Sequence, residues 1–400
     1  MNAQQSTQLP SGWRLVRLSD VAEQCLGKML DAKKNKGRLF PYLRNPNIRW
    51  LHVDTSDLRQ MPFEDHELER YGLREGDVLV CEGGEAGRAA IWDGHLPDVK
   101  FQKAIHRIRT GPELFNRYLV HRLMADYYSG RLADYYTGAT IKHLTGQDLA
   151  RLELPLPPLA EQRRIAEVLD RAETLRTKRR AAIAQLNTLT QAIFFTMFGD
   201  PIQNPHGFSV QPMIDIVDPQ RPISYGILMP GPEQAEGVKY VRVVDMKDGG
   251  IALPGIRKTT ETISNEFRRS LLKSGDLLIS IRGHVGRLAI VPSELDGANI
   301  TQDTARLAIR GASTIFVREC LRTPGFQRWM EKHTKGIAVR GINLGDIKRM
   351  PIIVPPREAQ ERFTDEVAVV EKLKTAYRTS LTEMDALFAS LQHRAFRGEL

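Results

Sequence analysis

The sequence predicts an α+β protein: two repeated globular α/β units joined by two long antiparallel coiled-coil helices about a pseudo-two-fold axis. Three observations carry this prediction. The chain repeats itself at a nearly fixed period, each copy runs into a long amphipathic segment, and each globular stretch consists of short apolar runs broken by Gly, Pro and Asp.

The repeat is the first of these. Gly138 and Lys142, followed by Leu144, Asp148, Leu149, Pro157, Pro158 and Gln162, return 198 residues later as Gly336 and Arg340, followed by Ile342, Asp346, Ile347, Pro355, Pro356 and Gln360. Upstream, Gly76-Asp77-Val78-Leu79 and Gly87-Arg88-Ala89-Ala90-Ile91 recur as Gly275-Asp276-Leu277-Leu278 and Gly286-Arg287-Leu288-Ala289-Ile290 at an offset of 199. The drift of one residue marks an insertion in a loop. Two copies of one unit imply two equivalent sites, which suits a bipartite target. The expected division is a first globular domain over 1–156, a long helix over 157–198, a second domain over 199–354 and a second long helix over 355–400.

Each copy opens on an aromatic residue and a short apolar alternation, Trp13, Leu15, Leu18 and Val21 in the first and Phe208, Val210, Met213 and Ile216 in the second. Tyr42-Leu43-Arg44 then matches Tyr240-Val241-Arg242. The runs 77–80, 89–92, 276–281 and 288–292 have the length of short strands between turns, with helix expected near 113–136 and 314–333.

After Pro157-Pro158, a helix start signal, Ile165, Leu169, Ala172, Ile183, Leu186, Ile193 and Met197 follow steps of three and four, with Leu175, Ala182 and Leu189 widening the stripe. Gly199-Asp200-Pro201 ends it. After Pro355-Pro356 the same spacing runs through Phe363, Val367, Val370, Tyr377, Leu381, Met384, Phe388, Leu391 and Ala395, interrupted in the two helices by polar Arg176, Arg179, Thr190 and Lys374. About 36 helical residues extend roughly 55 Å, longer than a small domain is wide. The expected core of the pair is therefore Ile165, Leu169, Leu186 and Ile193 against Phe363, Val367, Val370, Leu381, Met384 and Leu391, each stripe covering the other. The alternative is that each is a core helix of its own domain.

Four hundred residues exceed one ordinary core. A net charge of +9, from 57 Lys and Arg against 48 acids, favours a polyanionic partner. Cys25, Cys81 and Cys320 lie far apart with no metal-site spacing, which fits a reducing compartment. Residues 1–12 lack the apolar segment of a signal peptide, and no apolar run approaches the ~20 residues of a membrane span. A cytoplasmic protein that does not contact membrane is expected.

No catalytic signature is present. There is no Gly-x-x-x-x-Gly-Lys phosphate loop, His66-Glu67-Leu68-Glu69-Arg70 lacks a second histidine, and Gly83-Gly84-Glu85-Ala86-Gly87 does not fit a dinucleotide fingerprint. Asp77 and Asp276 sit in Gly-Asp turns, where an aspartate caps backbone amides. Basic residues in loops are the better candidates. Lys33, Lys34, Lys36 and Arg38 form a run that is either a solvated face or a phosphate contact. Arg44 and Arg242 follow the matched Tyr-Leu/Val pair, and Lys142 and Arg340 occupy the same repeat position in a Gly-x-x-x-Lys/Arg loop. Gln102 with Lys103, and Gln302 in the second copy, can hydrogen-bond base edges or serve as buried structural groups. Arg282 and His284 are aligned with Glu82 and Gly84, a difference expected either of two domains reading different sequences or of drift in a surface loop.

Leu154-Pro-Leu-Pro-Pro-Leu-Ala-Glu-Gln162, running through Ile165-Ala166 to Phe198-Gly-Asp-Pro201, and the second helix closing on Ala395-Phe-Arg-Gly-Glu-Leu400, resemble the specificity subunit of type I restriction-modification systems. The resemblance covers essentially the whole chain. The second copy departs from the Pro-Pro-x-x-Glu-Gln signature, with Ala359 at the position of Glu161. What the resemblance implies is a non-catalytic subunit with two target-recognition domains, each reading half of a split asymmetric sequence in double-stranded DNA, and helices that set the unread spacer. It further implies two modification subunits that methylate adenine with S-adenosylmethionine and two ATP- and Mg-dependent motor-nuclease restriction subunits, with no cofactor on this chain. The rival is a two-headed coiled-coil scaffold binding other proteins. A nuclease in its own right would need a metal-binding carboxylate cluster, which the sequence does not offer.

Overall fold

A computed structural model of the chain describes residues 9–31, 33–138, 142–247, 249–336 and 340–400. The chain divides into two compact units, residues 1–180 with 379–400, and residues 181–378. Each unit thus takes one globular repeat and half of each long helix.

In the first unit a four-stranded antiparallel sheet runs in the order Ala22–Leu26, Ile105–Thr110, Val78–Cys81, Ala89–Ile91. The second unit repeats it as Ser224–Tyr225, Thr304–Leu307, Leu277–Ser280, Leu288–Ile290. A mixed three-stranded sheet, Arg59–Phe63, Arg38–Leu43, Lys100–Phe101, likewise returns as Arg257–Thr259, Val238–Val241, Asn299–Ile300. In each unit the first strand pairs with the strand that leads into a long helix, Arg14–Arg17 with Glu153–Leu156 and Ser209–Pro212 with Pro351–Val354.

The apolar runs that follow Asp77 and Asp276 are buried on both faces, as central strands covered on each side are. Alternation divides their side chains between two cores. Val78 and Val80 face a cluster with Leu119 and Leu123, whereas Leu79 and Cys81 face Leu43, Trp92 and Phe101. In the second unit Leu277 and Ile279 face Phe316 and Leu321, and Leu278 faces Val241 and Ile300. The turn aspartates cap as expected: Asp77 Oδ2 accepts from Arg74 N and Asp276 Oδ2 from Lys273 N, both at 2.8 Å.

The helix expected near 113–136 is Asn116–Tyr128 followed by a 3-10 turn at Arg131–Tyr135. Its counterpart near 314–333 is two helices, Thr314–Arg322 and Pro324–His333, because Pro324 holds Thr323 in an extended conformation and Thr323 caps the second.

The long helices span Leu159–Phe198 and Arg357–Ala395 and pack together. Their pairing is antiparallel within each unit. In the first, Ile165 and Leu169 share a core with Phe388 and Ala395; in the second, Phe194 and Phe198 share one with Phe363 and Val367. The residues expected to form the helix-pair core therefore fall into two groups. Ile165, Leu169, Phe363, Val367 and Val370 are buried, and the first four are built into the globular cores as well as the helix pair. Leu186, Ile193, Leu381, Met384 and Leu391 are half-buried. The helices are domain-core helices at their ends and a two-helix seam only between, where no residue of the first helix from 170 to 189 is buried.

Two charged side chains sit in that seam at equivalent repeat positions. Arg176 lies over the Phe388 ring at 4.2 Å, donates to Asp385 Oδ1 at 2.7 Å and pairs with Glu173. Lys374, 2% exposed, donates to Glu371 Oε1 at 2.9 Å.

Both Pro-Pro starts are locked by the glutamine of the signature. Buried Gln162 accepts from Phe115 N and donates to Glu113 O and Pro157 O, all at 2.8 Å. Gln360 accepts from Ser313 N at 2.9 Å and donates to Pro355 O at 2.8 Å. Glu161, in contrast, only pairs with Arg164 on the surface, so Ala359 at that position of the second helix costs no interior bond. Among the described residues no helix is long and apolar enough to cross a membrane.

Candidate nucleic-acid interface

Backbone hydrogen bonds gather the same three loops at one end of the four-stranded sheet in each unit. In the first, Glu82 N donates to Ala104 O (2.9 Å) and Leu144 N to Glu82 O (2.7 Å). In the second, Ile281 N donates to Asp303 O (2.8 Å) and Ile342 N to Ile281 O (2.9 Å). A fourth segment closes on the cluster: Lys103 N donates to Lys28 O and Gln302 N to Ile227 O, both at 2.8 Å.

This bonding corrects two alignments made from the sequence. Glu82 corresponds to Ile281, so Arg282 stands where the first copy has Gly83 and His284 where it has Glu85. Gln302 corresponds to Lys103, and Gln102 to Thr301, since Gln102 N and Thr301 N donate at 3.1 Å to the matched Leu43 O and Val241 O. At these loops the offset is 199, the same as at Gly76 and Gly87, so an alignment at 200 misplaces both by one.

In the first unit Lys103 and Lys142 are exposed, and Lys142 Nζ lies 5.6 Å from the centre of the Tyr136 ring. Gln102 is half-buried, with its amide oxygen enclosed and unpartnered. Gly83 lies under His143, whose Nδ1 would be 3.1 Å from a Cβ added there. The interior beneath is apolar enough to hold His106 neutral: burial pushes its pKa down, against the pull of Glu82 and the carbonyl of Leu144 that its Nε2 meets at 3.1 Å.

In the second unit the large and small residues are exchanged. Arg282 pairs across a β-bridge with Gly341, the counterpart of His143, and Gly283 N donates to Arg340 O at 3.0 Å. Arg282 Nη1 donates to Gln302 Oε1 at 3.0 Å. Arg282 and His284 are exposed, and Arg340 is exposed with Glu331 3.9 Å away. The structure thus brings Arg282, His284, Gln302 and Arg340 into one cluster, and Lys103 and Lys142 into its equivalent. Ala139, Thr140 and Ile141, and Ile337, Ala338 and Val339, within the two Gly-x-x-x-Lys/Arg loops, lie outside the described residues.

Other basic candidates are placed differently. Arg44 is mostly buried and pairs with Asp57 at 2.7 Å; Arg242 grips Asp245 through Nε (3.0 Å) and Nη2 (2.8 Å). Both sit at the start of matched 3-10 turns, Asn45–Asn47 and Val243–Asp245, and act within the fold. Arg38 pairs with Asp65 at 2.9 Å on the surface. Lys33, Lys34 and Lys36 are exposed on the segment that follows Lys28. Sequence reasoning missed His143 and Gly83; the signal was the change of offset between 91 and 138, which makes the facing pair His143 and Gly83 equivalent to Gly341 and Arg282.

The described residues contain no group of three or more His, Cys, Asp or Glu placed to hold a metal. The fold is a duplicated one, with the same loop cluster on each repeat. Residues 10–186 match the family model described as Type I restriction modification DNA specificity domain. The chain is similar to the specificity subunit of the type I restriction enzyme EcoBI of Escherichia coli, 28% identical over 419 residues that span 97% of this chain and 86% of that protein. Its fold matches a chain solved under the description "Structural basis underlying complex assembly and conformational transition of the type I R-M system" (TM-score 0.58, 20% identity, 98% and 100% covered). It also matches the S subunit of a type I restriction-modification system from M. genitalium (0.53, 14%, 99% and 98%). Residues 10–186 thus carry the DNA specificity domain, and over its length the chain is similar to the specificity subunits of type I restriction-modification systems, the non-catalytic component that gives such a complex its DNA sequence specificity.

Proposed function

We propose that residues 1–156 and 199–354 are two target-recognition domains, each reading one half of a bipartite, asymmetric DNA site through its loop cluster. The observation that carries this reading is a duplicated backbone scaffold with exchanged side chains. The same three loops meet in both units, yet Gly83, Lys103 and His143 of one become Arg282, Gln302 and Gly341 of the other. Exposed Lys142 and Arg340 supply phosphate contacts that fix orientation, while the exchanged residues differ in the base edges they suit.

The long helices set the unread spacer and dock the modification subunits. Exposed leucines support docking: Leu175 and Leu387 in the first unit, and Leu373 and Leu189 at the equivalent positions of the second. Two equivalent apolar patches suit two copies of one partner. Those two subunits methylate adenine with S-adenosylmethionine and extrude the base, and two ATP- and Mg-dependent restriction subunits complete a cytoplasmic assembly in which this chain binds no cofactor.

The test is to insert one heptad into the middle of both long helices. Seven residues add roughly 10 Å, about three base pairs of duplex. Methylome sequencing of a host carrying the variant with its partners should return unchanged half-sites and a spacer about three base pairs longer. An unchanged spacer refutes the ruler.

A further inference from the structure

Each loop cluster carries two large apolar side chains that the described residues of its unit leave about half or more exposed. Met29 and Leu30 are 61% and 56% exposed; Leu228 and Met229 are 49% and 82% exposed. They follow directly on Lys28 and Ile227, whose carbonyls accept from Lys103 N and Gln302 N, so the two pairs are equivalent in the repeat. Scattered exposed aliphatics need no explanation, but a matched pair at the same loop of both copies does.

The backbone presenting them is fixed. Asn35 Nδ2 donates to Met29 O at 3.1 Å, and Thr259 Oγ1 donates to Pro230 O at 2.7 Å just beyond Met229. Upstream, Gly27 and Gly226 pack so closely on the turn that leads to Gln102 and Thr301 that an added Cβ would lie 2.3 Å from Gln102 O and 1.8 Å from Ile300 O. The tip is therefore pressed onto the cluster at its upstream end and hydrogen-bonded within its own unit beyond it. In the first unit the exposed Lys33, Lys34 and Lys36 follow it within seven residues, so a polyanion attracted there meets the apolar pair.

We propose that Met29 with Leu30, and Leu228 with Met229, are apolar wedges that press between base steps of the duplex beside the bases each head reads. Methionine and leucine are side chains that partly unstack a step, and a weakened step lowers the cost of extruding the neighbouring adenine in the partner enzyme. The inference rests on the loop clusters being the DNA face. It adds a mechanical role to recognition: the non-catalytic chain prepares the base that another subunit modifies.

The experiment uses the full chain assembled with its modification subunits. The probe is a duplex carrying the motif found by methylome sequencing, with 2-aminopurine at the methylated adenine of one half-site or the other. Met29→Ala with Leu30→Ala should reduce affinity roughly tenfold or more and suppress the 2-aminopurine signal in one half-site only, at unchanged salt dependence. Leu228→Ala with Met229→Ala should do the same in the other half. Wild-type affinity and signal in both double variants would overturn the wedge. Loss of the modification subunits with DNA binding intact would assign these side chains to protein docking and overturn it equally. A wild-type complex that does not distinguish the motif from a scrambled duplex would instead remove the DNA-face reading on which the wedge stands.

Discussion

Arg282 Nη1 donates a 3.0 Å hydrogen bond to Oε1 of Gln302, joining two loops of the second unit at the surface where the first unit has Gly83 and Lys103. A guanidinium held by one edge keeps its remaining donors free for a guanine edge, and the amide that holds it is itself a base-reading group. Arg282→Ala should therefore weaken binding to the target by about 1–3 kcal/mol and relax selectivity in one half-site only. Competition binding with single-base variants of the site checks this. A uniform loss across all sequences would make Arg282 a phosphate contact, and a double-mutant cycle with Gln302→Ala reports the coupling.

Lys142 and Arg340 hold the same repeat position with their charges outward, Arg340 only distantly paired with Glu331 at 3.9 Å. Replacing both by alanine should lower affinity for any duplex and flatten the plot of log K against log salt by ~0.9 for each phosphate no longer neutralised. Half that change from each single variant is expected if, as proposed, the two act on separate segments of DNA. An unchanged slope removes them from the interface.

The signature glutamines explain why the proline pairs recur, and their removal should be costly. Gln162 is wholly enclosed and satisfies Phe115 N, Glu113 O and Pro157 O, tying the start of the first long helix to the start of Asn116–Tyr128. Gln162→Met keeps the volume and strands three backbone groups, so a loss of about 2–4 kcal/mol is expected. Gln360→Met, with two such bonds, should cost less. Glu161→Ala, breaking a surface pair, should stay within about 1 kcal/mol. Urea denaturation of the three variants orders these values.

The repeat, the α+β class and the long helices were legible because they rest on backbone pattern. Gly-Asp turns, short continuous apolar runs and Pro-Pro helix starts each have one local physical solution. The loops were not legible to the same degree, since the offset changes from 199 to 198 between 91 and 138, and the bonds from Lys103 N and Gln302 N show that 199 still holds at those positions. Arg44 and Arg242 look like surface cations in sequence, yet each has a carboxylate within 3 Å supplied by a neighbouring turn. A one-dimensional charge count does not see such partners. The helix stripe in turn does not reveal that Ile165 and Phe363 serve a globular core as well as the helix pair.

Lys374 and Glu371 form the second-copy version of the seam pair Arg176 and Glu173. An ammonium 2% exposed among helix side chains depends on the Glu371 carboxylate, so Glu371→Gln should destabilise the chain by about 2 kcal/mol, less than a fully buried pair because Glu371 is itself partly exposed. Lys374→Met removes both the charge and the need for a partner, and should be neutral or stabilising. Thermal denaturation separates the two; equal losses would show that the pair contributes net stability rather than specifying how the helices align.

His106 gives the first unit a pH dependence whose sign follows from its burial. Enclosure pushes its pKa below the ordinary histidine value of about 6.5, so in the acid range the unfolded chain binds a proton that the folded chain resists. The neutral ring contributes its full stability above about pH 6.5, and that contribution is lost as pH falls from there through the lowered folded value. His106→Gln places an uncharged hydrogen-bonding group at the same site and should abolish this share of the acid sensitivity. Its urea midpoint should fall less steeply than that of the wild type between pH 7 and pH 5. Parallel acid profiles for wild type and variant would show that His106 does not carry the effect.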